Sequence, residues 1–166
     1  MKSMLHLKFI ALYIIFGFLC LFTTATLTTQ LVENRLMEDT SETLYREATL
    51  IASDYLPSYF TDDSSLYAVQ SQLAAMRLYL DASLWFVDST GTMITSSNIE
   101  NTSAPEAIEE FNPAEIGGSQ YISGTYHGYF KEDVITVMAP VTQSFYTKGY
   151  LLIHSPVASV EQRCAS

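Results

Sequence analysis

The chain has 166 residues, of which 48% are hydrophobic and only 16% charged, and its formal net charge is −10. This length accommodates one domain with additional segments. Without Lys2 and Lys8 the remainder carries 18 acidic and 6 basic residues. Such an acidic surface excludes nucleic acid as a partner, because phosphates require a basic patch.

The first predicted element is an apolar segment long enough to span a membrane. Residues 9–27 contain eleven Leu, Ile or Phe residues and no charge. As a helix they extend about 28 Å, close to the ~30 Å hydrocarbon core of a bilayer. A cleaved signal peptide is the alternative, but its apolar region is usually only about 7–15 residues long. We therefore expect an uncleaved anchor over residues 9–29.

The flanking charges predict the orientation of this anchor. Lys2 and Lys8 precede the apolar segment, and the first charge after it is acidic, Glu33. The positive-inside rule then places residues 1–8 in the cytoplasm and the chain after the anchor outside the cytoplasmic membrane of a bacterium.

Helical periodicity continues beyond the anchor. No Gly or Pro follows until Pro57, so one long helix of about 45 residues is predicted to end near Leu56, because the residue before a proline disfavours the α region. A second helix is predicted from a heptad-like stripe, namely Leu66, Val69, Leu73, Met76 and Leu80. This stripe either packs against the sheet of its own domain or contributes to a homodimer.

The pattern then becomes that of strands. Residues 84–87 and 92–96 predict a hairpin whose turn contains Asp88 and Gly91. Residues 98–118 are a polar insertion, in which a capping box at Ser103 predicts a short helix that ends at Asn112.

Three more strands are predicted at residues 121–130, 134–141 and 150–154, and a helix restarts after Pro156. Helices that are segregated from an antiparallel sheet define the α+β class. Residues 30–156 are thus predicted to form the extracytoplasmic domain, and residues 157–166 the start of a truncated C-terminal helix.

Catalytic and metal-binding patterns are not recognisable in the sequence. The histidines His6, His127 and His154 have no metal-type spacing, and neither a P-loop nor a nucleophile elbow occurs. Cys20 lies in the apolar segment and Cys164 near the other end, so no internal disulfide framework is expected. We expect no catalytic residue, no metal site and no cofactor.

Two stretches resemble the extracytoplasmic PAS-like sensor domains of the Cache family, residues 85–97 (WFVDSTGTMITSS) and residues 128–156 (GYFKEDVITVMAPVTQSFYTKGYLLIHSP). In that family an apolar strand ends in Asp-x-x-Gly. Later strands carry a Pro-Val step and a Gly followed by apolar residues. The whole layout, from anchor to last strand, is similar to the N-terminal half of a bacterial membrane-bound two-component sensor histidine kinase.

The resemblance implies a five-stranded antiparallel sheet flanked by the long N-terminal helix. It also implies a second membrane helix and a cytoplasmic kinase after residue 166. A ligand is then expected on one sheet face, under the 98–118 insertion. The candidate ligand-binding residues are Arg77 and Tyr79 at the end of the second helix, and Tyr121, Tyr126, His127 and Tyr129 on the third strand.

Arg77 is suited to a carboxylate or phosphate, although a solvated arginine and packing tyrosines are the alternative interpretation. The stimulus is left open between a small molecule, a cation and a peptide. The expected partners are the lipid bilayer and a second copy of the chain, through the N-terminal helices.

Other functions are compatible with parts of this pattern. A chemoreceptor or a cyclase can carry the same input domain. A pilin-like subunit also has an apolar helix followed by a sheet, but it usually carries a glutamate five residues into the mature segment, and here no acidic residue precedes Glu33. A secreted enzyme would need a catalytic group that the sequence does not reveal.

Overall fold

A computed structural model describes residues 2–61, 66–97, 106–116 and 121–165. The chain divides into two units, Met1–Glu38 and Asp39–Ser166. The helix α1 (Lys2–Asp54) contributes residues to both. It ends two residues before the predicted position, Leu56.

The first unit contains the apolar helical segment. The helical stretch Ser3–Phe60 includes an 18-residue window with a mean hydropathy of 2.2, none of it buried. Threonine hydroxyls donate to carbonyls four residues earlier at 2.8–2.9 Å, namely those of Thr23, Thr24, Thr26, Thr28 and Thr29. Such back-bonding satisfies hydroxyls within the helix, as a hydrocarbon environment requires. By length and composition, this helix is compatible with a membrane anchor.

The second unit contains the sheet and the remaining helices. Its helices are the C-terminal part of α1, α2 (Pro57–Phe60), α3 (Leu66–Leu80) and α4 (Val157–Ala165). Its strands are β1 (Ser83–Asp88), β2 (Met93–Ser96), β3 (Ile122–Gly124), β4 (Val134–Gln143) and β5 (Tyr146–Pro156). The sheet has the order β2-β1-β5-β4-β3 with antiparallel neighbours. The predicted α+β class with a five-stranded antiparallel sheet is confirmed.

One face of the sheet, which we call the helix face, is mainly apolar. Its fully buried apolar residues are Leu84, Phe86, Ile135, Val137, Ala139, Val141, Leu151 and Ile153, and the buried polar residues Thr95 and Ser155 lie on the same face. The rings of Tyr59 and Phe60 in α2 lie edge-on to Phe86, with centroids 5.7 and 5.8 Å away. In α3 three residues of the predicted stripe are buried, whereas Leu66 is 47% exposed.

The opposite face, which we call the loop face, carries Trp85, Val87, Val134, Thr136, Met138, Tyr150, Leu152 and His154. Side chains from two connections cover it: Ile108, Phe111, Ile116, Tyr126, Tyr129 and Phe130. The described part of the predicted polar insertion therefore packs on the sheet with its few apolar residues. Burial of their apolar surface stabilises this packing.

The third strand is much shorter than predicted. β3 ends at Gly124, and a turn follows in which Tyr126, His127 and Gly128 have φ of 44°, 53° and 81°. Three consecutive residues in the left-handed region cannot continue a strand. The prediction that Tyr126, His127 and Tyr129 lie on this strand was therefore wrong. These residues belong to a turn, although their alternating aromatic pattern is typical of a strand.

The last strand begins earlier than predicted, at Tyr146 instead of residue 150. It is joined to β4 by the two residues Ser144 and Phe145, with φ of 52° and 70°. Two positive φ values are what a tight type I′ hairpin requires. The sequence does not reveal this turn, because neither residue is the Gly or Asn that usually occupies it.

The prediction of a short helix within the insertion was also wrong for the residues that the structure describes there. Residues 106–112 are not helical, and a 3₁₀ turn, Pro113–Ile116, begins where the helix was predicted to end. The amide of Met93 donates to the carbonyl of Glu106, and the amide of Ile108 donates to the carbonyl of Gly91, both at 3.0 Å. These backbone groups bond to the hairpin instead of forming a helix. Ser103 lies outside the described residues.

Gly149 marks a close approach between β5 and β1. A Cβ atom at this position overlaps the backbone carbonyl oxygen of Val87 and lies 3.3 Å from the Phe86 ring. We expect Gly149→Ala to lower the free energy of unfolding by about 1–3 kcal/mol, because backbone cannot yield as a side chain does. Urea unfolding followed by circular dichroism measures the change.

Gly128→Ala provides the control for this variant. No heavy atom lies within 4 Å of a Cβ built at Gly128, whose φ is 81°. The substitution therefore adds only backbone strain, of about 1 kcal/mol. An equal or smaller loss for Gly149→Ala would contradict the steric argument.

Candidate functional site

Four of the candidate residues lie around β3 and the turn after it, and the other two lie in α3. Tyr126 and Tyr129 belong to the cluster on the loop face, while His127 in the same turn is exposed and Tyr121 just before β3 is half-buried. Tyr79 in α3 is 79% exposed.

Arg77, which is also exposed in α3, lines a separate cavity beside Pro156. The cavity residues and the loop-face cluster have no member in common.

The turn after β3 covers the loop face with aromatic rings. Phe130 stacks on Trp85 with centroids 5.4 Å apart and an interplanar angle of 18°. Tyr126 and Tyr129 contact Trp85 edge-on at 6.0 and 5.9 Å. Tyr129 Oη accepts a hydrogen bond of 3.1 Å from the amide of Glu109. The turn and the insertion are thus linked above the sheet.

Tyr126 is the most buried residue of this turn, with 5% of its surface exposed. Burial raises the pKa of Tyr126 well above its ordinary value, and the charges of Glu115 and Tyr129 raise it further. Its hydroxyl therefore stays protonated at physiological pH and remains able to donate a hydrogen bond.

His154, which the sequence did not select as a site residue, lies at the centre of this cluster. Its side chain is 1% exposed, and the rings of Trp85, Tyr126 and Phe130 surround it at centroid distances of 4.3, 4.9 and 4.8 Å. Nδ1 lies 2.7 Å from Thr136 Oγ1. Within the described part of the chain, Nε2 has no hydrogen-bond partner.

The protonation of His154 follows from this environment. Burial among aromatic rings lowers its pKa to about 3, because the charged imidazolium is poorly solvated there. The imidazole is therefore neutral at physiological pH. A buried polar atom without a partner costs free energy, and in a native structure such an atom calls for an explanation.

The predicted hairpin is confirmed, and Asp88 explains its turn. Asp88 Oδ1 accepts hydrogen bonds from the amides of Thr90 and Thr92 at 2.9 and 3.0 Å, and from Thr90 Oγ1 at 2.6 Å. Partial burial by itself raises the pKa of Asp88, but these hydrogen bonds together lower it below its ordinary value. The Asp-x-x-Gly motif thus has a structural role.

Residues 2–61, 66–97, 106–116 and 121–165 contain no group of three or more His, Cys, Asp or Glu side chains that could hold a metal ion. In these ranges, the loop face brings together two predicted candidate residues, Tyr126 and Tyr129, whereas Arg77 is the one predicted candidate beside the cavity.

The fold is similar to that of two solved sensor domains. The sensor domain of the V. cholerae histidine kinase DctB superposes with a TM-score of 0.58 at 18% identity, covering 84% of this chain. The sensor domain of E. coli DcuS superposes with a TM-score of 0.55 at 12% identity, covering 78% of this chain and 98% of that domain. This chain spans 59% of the V. cholerae domain.

At these identities the likeness concerns the fold, and it confirms the PAS-like architecture predicted from the sequence motifs. No family model and no curated protein matches the sequence.

Proposed function

We propose that this chain is the signal-sensing input of a membrane-bound two-component sensor histidine kinase. The similarity of its fold to the DctB and DcuS sensor domains carries the proposal. In this function residues 9–29 anchor the chain, with residues 1–8 in the cytoplasm, and residues 30–156 sense the stimulus outside the bacterial cytoplasmic membrane. The kinase follows residue 166.

The stimulus acts on the loop face in this proposal. Tyr126 and Tyr129 lie directly over the sheet. In the sequence, Tyr121 precedes both and His127 lies between them. A small molecule, cation or peptide that displaces this turn gains access to the polar atoms of His154. Neutral imidazole and a protonated tyrosine offer it both an acceptor and a donor.

A direct covalent route leads from this face to the output. β5 pairs with both β1 and β4 and therefore lies in the middle of the sheet. It continues without interruption from Pro156 into Val157 of α4, whose amide donates to the carbonyl of Asp133 at 3.0 Å. A shift of His154, two residues before Pro156, is therefore transmitted to α4 in the proposed mechanism. A homodimer formed through the N-terminal helices then carries the change across the membrane.

A chimera tests this function. Residues 30–165 replace the sensor domain of E. coli DcuS, and autophosphorylation is measured in membranes. Tyr129→Phe removes the acceptor for the Glu109 amide without altering ring packing, and we expect it to change basal phosphorylation several-fold. Tyr67→Phe, at a side chain that is 78% exposed, is the matched control and should have no effect.

If Tyr129→Phe and Tyr67→Phe both leave phosphorylation unchanged in a folded, membrane-inserted chimera, the loop face does not control the output and the proposed function fails.

A further inference from the structure

The ring of Phe130 contacts Trp85 differently from the other rings of the loop face. Phe130 lies nearly parallel to Trp85, with an interplanar angle of 18°. Tyr126, Tyr129 and His154 meet the same indole at steep angles, of 69°, 74° and 64°. Phe130 is half-buried and also lies 4.8 Å from the His154 ring. It therefore occupies a flat aromatic position that the indole and the imidazole bound.

His154 lacks one hydrogen bond beside this position. Its Nδ1 lies 2.7 Å from Oγ1 of the fully buried Thr136. Its Nε2, the ring nitrogen farther from the backbone, has no partner among the described residues. If the Thr136 hydroxyl donates to Nδ1, the hydrogen of the neutral imidazole is on Nε2.

This tautomer is the more favourable of the two. The opposite tautomer leaves both the Thr136 hydroxyl hydrogen and the Nε2 lone pair without a partner in the part of the chain that the structure describes. Each unsatisfied buried group costs free energy. Nε2 of His154 is therefore an N–H donor without an acceptor.

The turn that carries Phe130 is closed by its own backbone hydrogen bonds. The amide of Phe130 donates to the carbonyl of Thr125, and the amide of Tyr129 donates to the carbonyl of Tyr126, both at 3.1 Å. Tyr126 is held at φ of 44°, which costs a non-glycine residue free energy. Movement of Phe130 away from Trp85 therefore leaves the backbone pairing of the sheet intact.

The surroundings of the Phe130 ring disfavour an anion. The rings that contact Trp85 and His154 are aromatic, and the polar neighbour Thr136 is uncharged. The carboxylate of Glu115 acts on Tyr126 from nearby. A carboxylate bound here would lose its water without gaining a cationic partner, whereas a neutral carbonyl loses much less on burial.

We propose that the loop face binds an uncharged aromatic compound with a hydrogen-bond acceptor on its ring, which replaces Phe130 on Trp85 and accepts a hydrogen bond from His154 Nε2. Such a compound keeps the stacking that Phe130 provides and adds a hydrogen bond that Phe130 cannot make. The inference names the ligand class of the site in the proposed function, and it rests on that function only for the signalling consequence.

Fluorescence of Trp85 tests the binding, because Trp85 is the single tryptophan of the chain. The full chain in detergent is titrated with benzamide, which combines a ring with a neutral acceptor. Benzene lacks the acceptor, acetamide lacks the ring, and benzoate carries a charge. We expect a saturable response to benzamide, with an affinity about tenfold above that of benzene, the usual effect of one hydrogen bond. Acetamide and benzoate should bind more weakly than benzamide.

Three variants locate the site. Thr136→Val with His154→Leu should remove the preference for benzamide over benzene. Phe130→Ala should raise the affinity for benzamide several-fold, because the ligand no longer competes with the closed turn. Phe60→Ala truncates a ring on the helix face, where it contacts Phe86, and should leave both affinities unchanged. Circular dichroism verifies that each variant is folded.

Three results overturn the inference: the unaltered chain gives no saturable response to benzamide, benzamide and benzene bind equally well, or the preference survives in the double variant. Equal binding would mean that the position is merely apolar. None of these results affects the chimera experiment. Conversely, a chimera that does not respond to Tyr129→Phe refutes the sensory function, while a selective response of Trp85 to benzamide still supports the ligand class.

Discussion

Lowering the pH from about 6.5 towards about 3 is expected to destabilise the unit Asp39–Ser166 through His154. The pKa of His154 is lower in the folded state than in the unfolded chain, so the unfolded chain binds an additional proton over this range. The stability contributed by neutral His154 is therefore complete above pH 6.5 and declines as the pH falls. The loss reaches a few kcal/mol, because one pKa unit corresponds to about 1.4 kcal/mol.

Urea titrations at a series of pH values measure this loss, and a double variant identifies its source. Thr136→Val with His154→Leu replaces both members of the buried hydrogen bond, which is less costly than leaving one partner unsatisfied. We expect its stability to be nearly constant between pH 6.5 and 4.5. Asp88, whose pKa is lowered, contributes acid sensitivity only below its ordinary value of 3.8.

Equal pH dependence in the double variant and the parent between pH 6.5 and 4.5 would show that His154 is not held neutral by burial. The environment described for the loop face would then be incorrect.

Trp85→Ala is expected to lower the free energy of unfolding by about 3–5 kcal/mol, the usual cost of removing a buried aromatic side chain. Trp85 is 4% exposed and contacts Phe130, Tyr126 and His154 through its ring. Its removal leaves a cavity between the sheet and the turn after β3. The urea midpoint followed by circular dichroism reports the loss.

Two further variants serve as controls for the loss of stability in Trp85→Ala. Trp85→Phe keeps a ring against Phe130 and should cost clearly less than the alanine variant. Tyr67→Ala, at a side chain that is 78% exposed, should change stability by less than about 0.5 kcal/mol. A loss of under 1 kcal/mol for Trp85→Ala would mean that the turn does not pack on the sheet.

The candidate site could be predicted only in part. The aromatic residues Tyr126 and Tyr129 were selected from the sequence, and the structure brings both onto the loop face. His154 was not selected, because a single histidine at the end of an apolar strand has no distinguishing local pattern.

The sequence by itself determined the order of the main elements. Apolar periodicity predicted α1 and α3, and the Asp88 turn chemistry predicted the β1–β2 hairpin. The helix that follows Pro156 was also predicted, as α4 confirms. These features depend on residues within a few positions of one another, so their physical causes are visible in a linear chain.

Only the tertiary structure decided where the aromatic turn lies and where β5 begins. Left-handed conformations at Tyr126 and Phe145 are not favoured by those residues themselves. They are stabilised by contacts of other residues, namely the packing on Trp85 in one case and the antiparallel pairing of β4 with β5 along their whole length in the other. The burial of His154 has the same origin, because it depends on residues from three separate segments that meet only when the chain is folded.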